Sequence, residues 1–151
     1  MVIGIDPGKT GAICADKPKK KAKKTSPTQR SLSALRKEGA IAHIVEKWQA
    51  IPGHPAGGVR IDAWGFGDLL VAFPGEPGAV LVQTTSGPNL AARRTKVLGI
   101  PEAKVWLECG NRILLEGWRK TKPRGQKVAR WSAKREFVTL EDFDGSGKTQ
   151  T

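Results

Sequence analysis

The chain reads as a mixed α/β domain, a mixed sheet flanked by helices, and three observations predict it. Two apolar runs at 68–73 (DLLVAF) and 79–82 (AVLV) are separated by a Pro/Gly-rich turn of the kind that joins antiparallel strands. Ser26-Pro27-Thr28-Gln29 is a helix-start signal, with Ser26 as N-cap, Pro27 at the first helical position and Gln29 placed to close a capping box. Behind the hairpin, Gly87-Pro88-Asn89 opens a second helix, and further strand-like runs follow it. At 151 residues the chain is long enough for one core and too short for two comfortable domains. The expected organisation is an N-terminal strand-like segment and linker over 1–25, one domain over 26–141 and a flexible tail over 142–151.

Taken in order, residues 1–15 (MVIGIDPGKTGAICA) suggest a strand, a Gly-rich turn and the start of a second strand. The lysine run KPKKKAKK repels itself and has no apolar face, so disorder is expected there. The helix from Pro27 places Leu32 and Leu35 on one face, and Gly39 after Glu38 is a natural stop. Residues 40–48 (AIAHIVEKW) are short and β-branched with no cap signals, which predicts a strand; 49–58, with two prolines and three glycines, predicts a loop. The second helix carries Leu90, Ala91, Val97 and Leu98 on one side and Arg93, Arg94 and Lys96 on the other, with Gly99 and Pro101 ending it. Strands are expected at 103–109, 112–118 and 135–140, the first two joined into a hairpin by Gly110-Asn111. The basic stretch 119–127, flanked by Trp118 and Trp131, reads as a mobile loop. The terminal GSGKT has the wrong spacing for a phosphate loop.

Charge is the clearest global signal: 26 Lys and Arg against 14 acids give a formal +12, which points to a polyanionic partner such as nucleic acid. Its distribution is uneven. Residues 16–37 hold nine bases and one acid, residues 112–135 again nine and one, and residues 38–87 five acids and two bases. An acidic centre between basic flanks suits a protein that holds a cation while gripping phosphates. Cys14, Cys109, His43 and His54 are isolated in sequence, so neither a disulfide framework nor a zinc site is indicated. No stretch approaches a membrane span and the N-terminus lacks signal-peptide order, so a cytoplasmic protein without a membrane partner is expected.

The chemistry concentrates on the hairpin. Asp68 heads its first strand and Gln83-Thr84-Thr85 close its second, so folding brings a carboxylate and a row of polar groups to one end. A charge beside buried strands is costly unless partnered, and a divalent cation held by oxygen ligands is one such partner. The plainer alternative is that Asp68 is a turn or capping residue and that Gln-Thr-Thr is solvated.

Two resemblances bear on function. GIDPGKTGA resembles the opening of RNase H-like resolvases of the RuvC type, where the Asp at the place of Asp6 is the first metal-binding carboxylate; the match covers about nine residues. Over residues 26–140, the order helix, strand, strand, strand, helix, strand with two more strands behind resembles the PD-(D/E)XK nuclease core. SPTQRSL, EGAIAHIVEKW, DAWGFGDLL, VQTTSGPN and GWRK resemble a group of small phage and bacterial proteins of that superfamily. The resemblance implies a restriction-endonuclease-like core in which Asp68 ligates Mg²⁺ or Mn²⁺, Gln83 stands for the second acid and the backbone carbonyl of Thr84 is a further ligand. Thr85 stands at the lysine position, and Glu38, or alternatively Glu46, supplies an extra carboxylate. It implies Mg²⁺-dependent hydrolysis of DNA phosphodiesters by a degenerate Gln-x-Thr site, or an inactive DNA-binding module of the same fold. Arg93, Arg94, Lys96, Arg119, Lys120, Lys122 and Arg124 are the expected phosphate contacts, and a homodimer is the assembly that related nucleases suggest. A third reading is a fragment fused to an RNase H-like start.

Overall fold

The computed structural model describes residues 24–145, so Asp6, the RuvC-like start, the lysine run and the residues after Gly145 lie outside the described residues. Helix α1 (Pro27–Lys37) starts as its sequence dictates: Ser26 Oγ accepts from the Gln29 N–H at 3.2 Å and Pro27 occupies the first turn. It stops at Glu38 because Gly39 turns left-handed at φ 88°, a conformation that glycine adopts without strain. The strands are β1 (Ile41–Ile44), β2 (Lys47–Ala50), β3 (Gly58–Ile61), β4 (Leu69–Ala72), β5 (Val80–Ser86), β6 (Arg112–Thr121) and β7 (Arg130–Val138). A 3-10 turn at Gly87–Asn89 leads into α2 (Leu90–Leu98), α3 is Pro101–Glu108, and α4 is Leu140–Gly145.

Five strands form a mixed sheet in the order β1-β4-β5-β6-β7. The central hairpin is present, with β4 antiparallel to β5 and Leu69 opposite Val82. β5 runs parallel to β6, and α2 and α3 make the crossover between them. Because helices cover both faces, β5 and β6 are buried on both sides and their side chains divide by parity. Val80, Val82 and Leu114 pack with Leu32 and Leu35 of α1. Leu81, Ile113 and Leu115 pack on the other face with Phe66, Val97 and Ala103.

Six sequence expectations are corrected. The strand expected over 40–48 breaks at Val45-Glu46, whose N–H groups both turn to the Asp68 carbonyl, at 2.9 and 3.4 Å. The chain then re-emerges as β2, which pairs antiparallel with β3 in a separate two-stranded sheet, so much of the expected 49–58 loop is hairpin. Residues 103–108 are helical rather than a strand, with Cys109 as the helix cap. Pro101 opens α3 instead of only ending α2, and the 103, 106, 107 spacing of Ala103, Trp106 and Leu107 puts all three against one core. Gly110-Asn111 therefore joins α3 to β6, with Asn111 Oδ1 accepting from the Ala79 N–H at 3.1 Å, and one further strand, β7, follows β6. The basic stretch from 119 is ribbon through Thr121, paired to Arg130, and the expected tail begins inside α4, where Asp142 is held by Arg94 at 2.7 Å.

Candidate carboxylate site

Asp68 sits at the junction of three strands. Its N–H donates to the Val82 carbonyl at 2.9 Å and its own carbonyl takes Val45, so its backbone is locked between the end of β1 and β5. Its side chain lies beside Gln83 and Thr84. Oδ2 accepts three hydrogen bonds, from Gln83 Nε2, the Thr84 N–H and Thr84 Oγ1, each at 2.8 Å. Thr84 Oγ1 also lies 3.1 Å from Thr28 Oγ1, which ties the group to α1.

Asp68 is 4% exposed, and burial pushes its pKa up from 3.8 to about 6. The Thr84 hydrogen bonds oppose that rise and the charges of Asp62 and Glu46 add to it. Glu46, Asp62 and Asp68 each offer an oxygen, and these three lie within 4.8 Å of one another. The turn between β3 and β4 brings Asp62 there. Ala63 and Gly67 bridge, and a Cβ on Gly67 would stand 2.1 Å from Leu81 Cδ2, so any larger residue there would have to displace the buried Leu81 side chain for the turn to close over β5. At the rim, Arg60 pairs with Glu46 at 3.0 Å and Lys96 approaches Asp62 at 3.9 Å.

The donor set fits a hard divalent cation. All the acids offer oxygen, and Gln83, 2% exposed, has Oε1 buried without a hydrogen-bond partner among the described residues. Its amide now turns the NH₂ to Asp68; rotating it by a half turn presents the oxygen on that side, the orientation a cation shared with Asp68 requires.

The sequence-predicted residues divide. Asp68, Gln83 and Thr84 come together, with Thr84 engaged through its N–H and hydroxyl while its carbonyl takes a 3.4 Å contact from Gln83 Nε2. Thr85 is buried on β5 opposite Gly117 and supplies no amine. Glu38 is turned away: Arg135 donates to its two oxygens at 2.9 and 2.7 Å, and those bonds hold its pKa below the ordinary value. The helix-borne carboxylate thus gives way to Glu46, the alternative, and to Asp62, which sequence reasoning missed. The only sequence signal for Asp62 was the glycine pair Gly65 and Gly67, which marks a turn tight enough to return residue 62 to residue 68.

The basic residues divide as well. Arg94 is occupied by Asp142 at 2.7 Å and Glu136 at 3.6 Å, Lys96 faces Asp62, and Arg93 is half-buried. Arg119, Lys120, Lys122 and Arg124 stand exposed on the β6–β7 ribbon with no ion pair among the described residues. Trp118 is anchored by its indole N–H on Ser31 Oγ at 2.8 Å, whereas Trp131 is 45% exposed with the Arg30 guanidinium stacked 3.9 Å from its ring centre.

One strand over from Thr84 is a second buried acid. Glu116 is fully buried; Arg135 Nε donates to its Oε1 at 2.6 Å, and its Oε2 has no partner among the described residues. Arg135, bridging Glu116 and Glu38, has its pKa raised by the Glu38 bonds first.

Among the described residues, no helix is long and apolar enough to cross a membrane. Comparison with protein-family models, with curated proteins and with solved structures finds no match to this chain.

Proposed function

We propose that this protein is a divalent-cation-dependent phosphodiesterase of the PD-(D/E)XK type acting on DNA, with Asp68, Gln83, Glu46 and Asp62 as its cation ligands. The observation that carries the reading is a buried Asp68 crowded by two further acids and next to an amide oxygen that has no partner. Crowded acids of that kind are unfavourable alone and favourable around Mg²⁺ or Mn²⁺. Element order supports it: α1, β1, β4, β5, α2 and β6, with β5 parallel to β6, follow the restriction-endonuclease-like sequence of elements once the β2–β3 hairpin is treated as an insertion.

A bound cation would supply charge to polarise a phosphodiester and lower the pKa of water. The chain's own residues do the rest. Asp68 and Gln83 fix where the phosphate meets the site, and the Thr84 N–H and hydroxyl orient the Asp68 carboxylate. Arg119, Lys120, Lys122 and Arg124 reach backbone phosphates from the ribbon, so recognition follows strand shape more than base identity. Thr85 at the lysine position favours a second reading, a DNA-binding module without hydrolysis, because no amine is there to stabilise the developing phosphorane charge.

The test is direct. Mn²⁺ titration by calorimetry should show one site in wild type that Asp68→Asn abolishes, and plasmid or branched-DNA cleavage should fall by about 10³-fold in the same variant. Wild type that binds Mn²⁺ and DNA without cutting establishes the module. Failure of wild type to bind the cation rules out the nuclease.

A further inference from the structure

A groove on the described surface adjoins the acidic cluster and shares a wall with it. It encloses about 760 Å³ between the β2–β3 hairpin and the 62–67 turn, and Val45, Trp48, Ile61, Asp62, Ala63 and Trp64 line it. Asp62 therefore belongs to both the groove and the carboxylate cluster. The two indoles are conspicuous for their exposure: Trp48 is 58% and Trp64 57% exposed, although each would gain from burial.

Trp64 is held in place at a conformational cost. Its φ of 50° is unusual for a bulky side chain, and it is the sole non-glycine positive φ among the described residues. The turn that imposes it is closed by Gly65 N–H on the Asp62 carbonyl at 3.2 Å and by Phe66 and Gly67 N–H on the Ala63 carbonyl at 3.1 and 3.0 Å. Trp106 packs against the ring at a tilt, with centroids 5.4 Å apart. The same turn that delivers Asp62 to the cluster thus presents an indole to the groove.

We infer that this groove is a stacking subsite for one unpaired nucleobase whose own or neighbouring phosphate lies at the carboxylate cluster. Trp48 and Trp64 supply the aromatic surfaces. A base inside a duplex already has both faces stacked, so only a frayed, flapped or single-stranded nucleotide can offer one to an indole. Continuity with the carboxylate cluster through Asp62 favours a nucleotide over an apolar peptide as the occupant, and Lys47 on the same lining is placed to meet a phosphate. Aromatic stacking tolerates any base, in keeping with recognition by strand state. The inference rests on the cation reading for the position of the phosphate, and it narrows the substrate to nucleic acid with an unpaired nucleotide at the cut.

The test uses the full chain in Ca²⁺, with a fluorescein-labelled oligothymidylate and a blunt hairpin duplex compared by anisotropy. Wild type should prefer the single strand, and the strand should quench tryptophan emission. Trp48→Ala should weaken single-strand binding by roughly tenfold, leave the duplex unchanged and lose part of the quenching, while Trp48→Phe keeps most of the affinity. Trp64→Ala should do the same; thermal unfolding followed by circular dichroism confirms that each variant is folded, and Trp48 alone decides the matter if Trp64→Ala is not. Equal losses for strand and duplex, or no loss in Trp48→Ala, would overturn the subsite. Calorimetry with Mn²⁺ on the same variants should be unchanged. A strand preference that depends on Trp48 in a protein that binds no Mn²⁺ supports the groove and removes the cation reading, so the two fail separately.

Discussion

Two carboxylates are buried on either side of Thr84, and the protein treats them in opposite ways. Glu116, paired with Thr84 across the parallel β5–β6 ladder, has its own cation: Arg135 binds it at 2.6 Å and is itself clamped by Glu38. Asp68 has hydrogen-bond donors but no basic partner among the described residues, and the two acids beside it, Glu46 and Asp62, are paired from the rim by Arg60 and Lys96. The first arrangement carries its cation inside the fold, whereas in the second the bases sit at the rim and leave the Asp68 carboxylate itself without one. A buried acid that comes with its guanidinium is part of the scaffold; one crowded by its own kind is a place for a charge from outside.

The largest effect should come from breaking the closed pair. Arg135→Ala leaves Glu116 buried without a counter-charge and should cost about 3–5 kcal/mol in urea unfolding, with most of it restored by adding Glu116→Gln. A loss under about 1 kcal/mol would mean that the two acids are not distinct in kind.

Asp68 should respond in the opposite sense. Its folded pKa of about 6 stands above the ordinary 3.8, so its contribution to stability is fullest below pH 3.8 and is lost as pH rises through 6. Asp68→Asn should therefore stabilise the cation-free protein at pH 8, by up to about 3 kcal/mol, with the gain vanishing near pH 4. Cation binding runs the other way: Mn²⁺ affinity in wild type should fall as pH drops through 6, because the proton and the ion compete for one carboxylate.

A finer adjustment is Gln83→Glu, which adds a fourth acid to the cluster. It should lower stability without metal by about 1–2 kcal/mol and tighten Mn²⁺ binding, so that saturating Mn²⁺ more than restores the melting temperature. The smallest effect expected is from Asp62→Asn, which should move the Asp68 pKa downward, read by NMR titration of its carboxyl carbon.

Much of this contrast was legible before any coordinates. Pro27 behind Ser26 sets where α1 begins, and two apolar runs around a Pro/Gly turn pair as a hairpin, which brings residues 68 and 83 together. The second half of the chain was harder to read. Residues 103–109 hold apolar groups at spacings open to either strand or helix, and the choice went to the helix that α2 and β6 leave room for.

The sequence by itself determined the adjacency of Asp68 and Gln83, because local turn chemistry fixes the register of neighbouring strands. Only the tertiary structure decided which other charges join them. Glu46 arrives because β1 breaks on the Asp68 carbonyl, Asp62 because a glycine turn folds over Leu81, and Glu38 leaves because Arg135 reaches it from a strand 97 residues away. Those placements depend on contacts between distant segments, which no local pattern of residues encodes.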